Sequence, residues 1–186
     1  MVGGEREGGS LRVSKVDAAF SQFDTALRLW FGEGDPVSVH TLASAAEGIL
    51  RDLPCEAGPP HPVESDVIRD EYRAEWNRML KRPANFFKHA NHDRDGVIDF
   101  DPEQTVFVLL WIYLRLKALG RSAPVTAEAF GLWILAHRTN LVKAEARAQL
   151  EAAGLGPGLL AELRGGSRAQ LLRGVERAVR LRGVSK

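Results

Sequence analysis

Apolar residues recur along the chain at spacings of three and four positions, which is typical of helices with one buried face. Ser14 and Asp17 form a capping-box-like start to the first such run, which ends near Gly32. The run contains five apolar residues at helical spacing: Val16, Phe20, Phe23, Leu27 and Trp30. It predicts an amphipathic helix.

A second helix is predicted to begin at Asp35-Pro36, because aspartate caps free amides and proline suits the first turn. Pro54 ends it, and the short connection at Gly32 to Gly34 favours an antiparallel hairpin with the first helix. Its predicted apolar stripe is Val39, Leu42, Ala46, Ile49 and Leu53.

Further helices are predicted from similar signals. Residues 66–81 form a charged helix with one apolar edge, and Pro83 restarts a short helical turn. Another helix starts at Asp101-Pro102 and runs to Gly120, and its stretch from Val106 to Leu114 is apolar all round, as in a helix surrounded by others. Thr126 is expected to cap the next helix, which ends by Asn140, and residues 141–153 form one more.

These patterns predict an all-α fold, a helical bundle of six to eight helices with a buried central hydrophobic helix. We expect a flexible N-terminus at residues 1–11, the bundle domain at residues 12–153, and a glycine-interrupted basic helical tail at residues 154–186. A brief alternation at residues 97–100 is the one hint of a strand.

Composition adds limits on location and cofactors. The chain has 186 residues, 45% of them apolar, and one cysteine, Cys55, which cannot form an internal disulfide. The N-terminus lacks the apolar core of a secretory signal, and the longest apolar run has nine residues where a membrane span needs about 20. We therefore expect a cytoplasmic protein with no membrane partner. No sequence signal indicates a cofactor or metal.

The tail carries a local excess of positive charge in a chain whose formal net charge is only +1. Residues 164–186 contain seven basic residues and one acidic residue. Ser167 and Gln170 form a capping box, and Leu171, Val175 and Val179 form an apolar stripe opposite the arginines. A docked surface helix accounts for this pattern, and so does a tail that binds RNA, phosphate or a protein partner.

Residues 91–99 match most of a calcium-binding loop, with oxygen ligands at positions one, three, five and nine and glycine at six. The bidentate carboxylate needed at position twelve is replaced by Pro102, so we expect no specific calcium binding. An aspartate-rich turn is the alternative. His92, Asp93 and Asp95 are kept as candidate binding residues, and together with His89 they could also suit a transition metal.

The candidate catalytic pair is Arg82 and His89. On a continuous helix Arg82, Asn85 and His89 would share a face, with backbone positions about 10 Å apart along the axis. An arginine that holds a phosphodiester and a histidine that transfers a proton as the 2′-hydroxyl attacks suit RNA cleavage without metal. Asn85 and Lys88 are candidate binding residues; alternatively, the whole segment is structural.

At these residues the chain resembles the HEPN superfamily, whose motif is an arginine, four to six residues and a histidine. The resemblance implies a helical bundle, frequent homodimers and, in many members, metal-independent ribonuclease activity of a toxin or defence type, with Arg82 and His89 as the catalytic pair. Proline follows the arginine here, where a polar residue is usual, and Asn91 stands where some members have tyrosine.

A second resemblance covers residues 12–137. The Asn-Phe-Phe-Lys-His-Ala segment at residues 85–90 and the following aspartate-rich turn are similar to those of a group of short bacterial helical proteins without an assigned activity. We therefore expect a cytoplasmic helical binding or regulatory module that forms homo-oligomers. The alternative function is a HEPN-like metal-independent ribonuclease.

Overall fold

The computed structural model describes residues 6–7, 10–54, 81–91, 93–139, 148, 151–152 and 154–184. The fold is all-α, as the sequence predicts. The described part also has two short strands, β1 (Arg6–Glu7) and β2 (Ser10–Leu11), which pair antiparallel. Its helices are α1 (Lys15–Phe31), α2 (Pro36–Asp52), α3 (Glu103–Ala118), α4 (Val125–His137), α5 (Pro157–Gly165) and α6 (Arg168–Val184).

The chain divides into two compact units, residues 1–30 with 34–122, and residues 31–33 with 123–186. This division falls at residue 122, before α4, and does not coincide with the boundary expected near Gly154. The reason is that α5 and α6 both pack against α4 within the second unit.

In the first unit, the predicted helix starts are confirmed at atomic level. Asp17 N donates to Ser14 Oγ at 3.1 Å, and Ser38 N donates to Asp35 Oδ2 at 2.7 Å. These bonds satisfy amides that a helix start leaves free. The Ser14 hydroxyl also donates to Asp17 Oδ2, and the Ser38 side chain and amide donate to the Asp35 carboxylate; these bonds lower the pKa of both carboxyl groups. The Arg121 guanidinium also donates to Asp17, which ties the end of α3 to the start of α1.

The buried face of α2 lies partly where the apolar pattern placed it. Val39 and Ala46 are buried as predicted, whereas Leu42 and Ile49 are half-buried. The face extends to polar positions instead, so the full buried set on α2 is Val39, His40, Ala43, Ser44, Ala46 and Leu50. Two polar residues therefore belong to the interior of the first unit.

Helix α3 packs against α2 and is the central hydrophobic helix predicted from the sequence. Leu109 and Ile112 are fully buried, and the Arg115 guanidinium donates to the Leu53 carbonyl at 2.7 Å. Phe107 and Leu114, two turns apart, are 44% and 42% exposed. The all-round apolar stretch therefore has one face that the described part of the chain leaves exposed.

The second unit contains one correction to a predicted cap. Thr126 does not cap α4: the helix begins at Val125 after Pro124, and Thr126 is fully buried in its first turn. The predicted end by Asn140 is confirmed, since α4 ends at His137. Ser167 and Gln170 form the predicted capping box, with N to side-chain oxygen distances of 2.7 and 3.2 Å.

Three sequence predictions concern other segments. Residues 97–100 form no strand, and Val97 is 87% exposed. The predicted helix at residues 66–81 and most of residues 141–153 lie outside the described residues. No helix in the described part of the chain has the length and apolar character needed to cross a membrane.

Candidate functional site

The described segment that carries Arg82 and His89 is helical at first and then forms a turn. Residues 81–86 are helical and residues 87–88 form the turn. Phe87 N donates to Pro83 O at 2.9 Å, and the amides of Lys88 and His89 both donate to Asn85 O, at 3.2 and 3.1 Å. The helix therefore ends before His89, so the continuous helix on which the shared face was predicted is not present.

The candidate polar side chains of this segment all face solvent. Arg82, Asn85, Lys88 and His89 are exposed, whereas Pro83 is buried and both phenylalanines are half-buried. Neither the Arg82 nor the His89 side chain forms a hydrogen bond or ion pair with another described residue, and the two side chains form none with each other. The segment thus presents the Arg82 guanidinium and the His89 imidazole to solvent and packs through its apolar residues.

The aspartate-rich loop is a tight turn. Gly96 N donates to Asp93 O at 3.0 Å, and Asp93 and Asp95 are exposed. A Cβ at residue 96 would lie 2.7 Å from Asp93 Oδ2, so any larger residue here would displace the exposed Asp93 carboxylate. His92 lies outside the described residues. No cluster of three or more metal-ligating side chains occurs in the part of the chain that the structure describes.

Phe87 and Phe100, from the segment at residues 81–100, pack with His40 of α2 and Thr105 of α3. We call these four residues the His40 cluster. The Phe87 and Phe100 ring centroids are 5.2 Å apart, and the His40 ring lies 5.9 Å from Phe87 and 5.0 Å from Phe100. All three pairs are edge-to-face, the arrangement that aromatic quadrupoles favour. The cluster joins α2, α3 and the candidate segment.

His40 is the functional residue that sequence reasoning missed. It is 1% exposed, its Nδ1 lies 2.9 Å from Thr105 Oγ1, and its buried Nε2 has no hydrogen-bond partner in the described structure. Desolvation, helped by the positive charge of Lys88, lowers the pKa of His40 to about 4. From the sequence, His40 is one of several scattered histidines, and no spacing links it to Phe87 or Phe100.

The second candidate surface is the outward face of α6. Arg173, Arg177 and Arg180 are exposed, at positions i, i+4 and i+7, so they lie along one side of the helix. None of them forms an ion pair with another residue of the described structure. The opposite side packs on α4, where Leu171 is 7% exposed. The predicted stripe is buried at Leu171 only, because Val179 is 45% exposed.

Further cations lie at the end of α4. The His137 ring stacks on Trp133 with centroids 4.8 Å apart, and the Arg138 guanidinium lies 5.3 Å from the Trp133 ring. Arg164 donates to the Ala136 carbonyl. Desolvation, Arg138 and Arg164 lower the pKa of His137. Positive charges near a helix C-terminus are electrostatically favourable, so Arg138 and Arg164 stabilise the end of α4.

No protein-family model, no curated protein and no solved structure matches the chain.

Proposed function

We propose that this protein is a helical binding module that binds RNA through the outward face of α6. The observation that carries the proposal is the line of exposed arginines at residues 173, 177 and 180. The helical rise separates the first and last by about 10 Å along the axis, and all three lie on one side of the helix. Three guanidinium groups can therefore contact neighbouring phosphates of one RNA strand.

The type of cation supports the same ligand class. Residues 168–184 contain five arginines and no lysine. Guanidinium groups bind phosphate oxygens in a bidentate manner and stack on bases, whereas ammonium groups act as point charges. The charge excess of the tail within a nearly neutral chain also favours a polyanion at this helix.

A membrane surface fits this helix less well than RNA does. An interfacial helix must insert a broad apolar face among the lipid chains. In α6, Leu171 is buried, and Leu172 and Val175 are half-buried in a helix that packs on α4. Two exposed apolar side chains, Val179 and Leu181, remain. The apolar face is therefore largely occupied, while the exposed side chains of Arg173, Arg177 and Arg180 can contact a ligand.

The test is an affinity measurement with fluorescently labelled single-stranded RNA in a buffer of moderate ionic strength. We expect the triple variant Arg173→Gln, Arg177→Gln, Arg180→Gln to bind at least about 10-fold more weakly than the parent, because each lost phosphate contact removes counterion release. Fluorescence anisotropy reports the dissociation constant, and circular dichroism checks that the helical content is kept.

The matched control removes the same charge from the first unit. Arg12, Arg28 and Arg51 are exposed on or near α1 and α2, and their replacement by glutamine should change affinity less than about threefold. Equal weakening by the two triple variants would mean that net charge alone attracts RNA. Absence of RNA binding by the parent, or binding to acidic vesicles but not to RNA, would also contradict the proposal.

A HEPN-like ribonuclease is the second candidate function, since Arg82 and His89 are both exposed on one short segment. In that function Arg82 would bind the scissile phosphate and His89 would transfer the proton from the attacking 2′-hydroxyl. The short helix ends before His89, so binding of substrate would have to bring the two side chains together. For this reason we place RNA binding first.

RNA turnover decides between the two functions. A binding module should leave labelled RNA intact over hours, with or without a chelator, and Arg82→Ala and His89→Ala should keep the affinity of the parent. Chelator-resistant cleavage that falls by about 100-fold or more in both variants, with unchanged melting temperatures, would establish the ribonuclease instead.

We also propose that the protein is a cytoplasmic homodimer, as expected from its sequence and from the HEPN resemblance. The absence of a membrane-spanning helix among the described residues is consistent with this location. The exposed apolar pair on α3, Phe107 and Leu114, supports self-association.

A further inference from the structure

The His40 cluster joins three parts of the first unit that are far apart in sequence. His40 comes from α2, Thr105 from the first turn of α3, and Phe87 and Phe100 from the segment between residues 81 and 100. The contacts of Phe87 and Phe100 with His40 hold that segment, and with it the exposed residues Arg82 and His89, against α2. Phe87, which directly precedes Lys88, packs edge-on against the His40 ring.

The hydrogen bonding of His40 defines a neutral ring. Nδ1 has one partner, Thr105 Oγ1, and Nε2 is buried without any in the described structure. In the imidazolium form both nitrogens carry a proton, so the Nε2 proton would be buried without an acceptor. A buried charge without a partner is strongly unfavourable, and neither Phe87 nor Phe100 offers an oxygen acceptor for such a proton.

The charged groups near the cluster do not compensate for a proton on His40. Lys88 is the residue whose charge acts on the ring, and it opposes protonation. On α2, Glu47 is hydrogen-bonded to Arg51. On α3, Arg115 is buried, carries a positive charge and donates to the Leu53 carbonyl. The other acidic, basic and histidine residues described on these segments are exposed: Arg51, Asp52, Lys81, Arg82, His89, Asp93, Arg94, Asp95, Asp99, Asp101, Glu103 and Lys117. A proton can therefore be accommodated only when the ring reaches water.

We propose that His40 is a positioning residue that holds residues 86–91 and 93–100 on α2 and α3 only while its ring is neutral, so that acidification favours release of this segment. The release changes the placement of Lys88 and His89, because both follow Phe87 directly. The inference concerns the first unit and does not rest on RNA binding by α6.

The direction of the pH effect follows from linkage. Burial lowers the pKa of His40 from 6.5 to about 4 in the docked state, so protons favour the undocked state. The His40 contribution to docking is fully present above a pH of about 6.5 and decreases as the pH falls from about 6.5 towards 4. Between about pH 7.5 and about pH 5, the equilibrium constant for opening should rise about 30-fold.

Amide hydrogen exchange of the whole chain measures this opening, after correction for the intrinsic pH dependence of exchange. The amides of Phe87, Lys88 and His89 report on the segment because they are hydrogen-bonded in the docked state. We expect their protection in the parent to fall about 30-fold over that pH range. His40→Gln, which can bond Thr105 but does not titrate, should show less than about a threefold change, and His137→Gln, a histidine control in the second unit, should behave like the parent.

A direct titration keeps the inference testable even where His40→Gln fails to fold. Nuclear magnetic resonance of the parent should show His40 as neutral at pH 6, with its ring signals changing together with loss of protection. Protection that does not depend on pH, an unchanged pH dependence in a folded His40→Gln, or a His40 that titrates near pH 6.5 while residues 86–100 stay protected would each overturn the proposal.

Discussion

At the residue scale, the buried face predicted for α2 from apolar spacing was wrong where polar residues are buried. His40 and Ser44 lie on the buried face of α2, although the apolar pattern assigned that face to Leu42 and Ile49. Thr105 lies on α3, 65 positions further along the chain, and its hydrogen bond with His40 offsets part of the free-energy cost of burying that ring. No local spacing can reveal such a partner, because it exists only once α2 and α3 pack together.

Leu171 and Val179 give a paired stability prediction at this scale. Leu171→Ala should lower the free energy of unfolding by about 2 to 3 kcal/mol, because it removes a buried side chain from the face of α6 that packs on α4. Val179→Ala should change it by less than about 0.5 kcal/mol, because Val179 is 45% exposed. Urea denaturation followed by circular dichroism measures both.

A similar loss from both variants would mean that the second half of α6 is buried in solution. That result would also weaken the proposed RNA surface, since the arginines at 177 and 180 flank Val179. The sequence pattern predicts that Leu171, Val175 and Val179 are buried alike, whereas the structure buries Leu171 and exposes Val179. The two variants therefore test which of these descriptions holds.

At the element scale, caps and breakers predicted the helices well. Ser14, Asp35 and Ser167 each make the predicted cap contact, and Gly120 adopts φ +68° just after α3, where a side chain would be strained. The exception is Thr126, which is buried inside the first turn of α4. The helix begins directly after Pro124, so Thr126 lies in its first turn and its side chain is buried instead of capping the helix.

Helix α3 is also where the proposed homodimer can be tested. Light scattering of the parent should give twice the mass of one chain, and the double variant Phe107→Ser, Leu114→Ser should give the mass of a monomer, because it removes an exposed apolar pair. Val97→Ser is the control, since Val97 is 87% exposed in the turn region. A monomeric parent, or a double variant that stays dimeric, would rule out this interface.

At the scale of the whole molecule, charge distribution carries more functional information than net charge. The formal net charge is +1, which by itself argues against nucleic-acid binding. The sequence located the basic excess within residues 164–186, but it did not decide whether the apolar side of that tail is free. Packing of α6 on α4 occupies that side and leaves the arginines outward.

The most direct test of RNA binding through α6 is the salt dependence of the RNA dissociation constant. A plot of the logarithm of affinity against the logarithm of salt concentration has a slope of about −0.7 per phosphate neutralised on a single strand. Replacing Arg173, Arg177 and Arg180 by glutamine should therefore reduce the magnitude of this slope by about 2, and replacing Arg12, Arg28 and Arg51 should leave it unchanged. An unchanged slope in the α6 variant would contradict the account, because it would show that these arginines do not contact the phosphates.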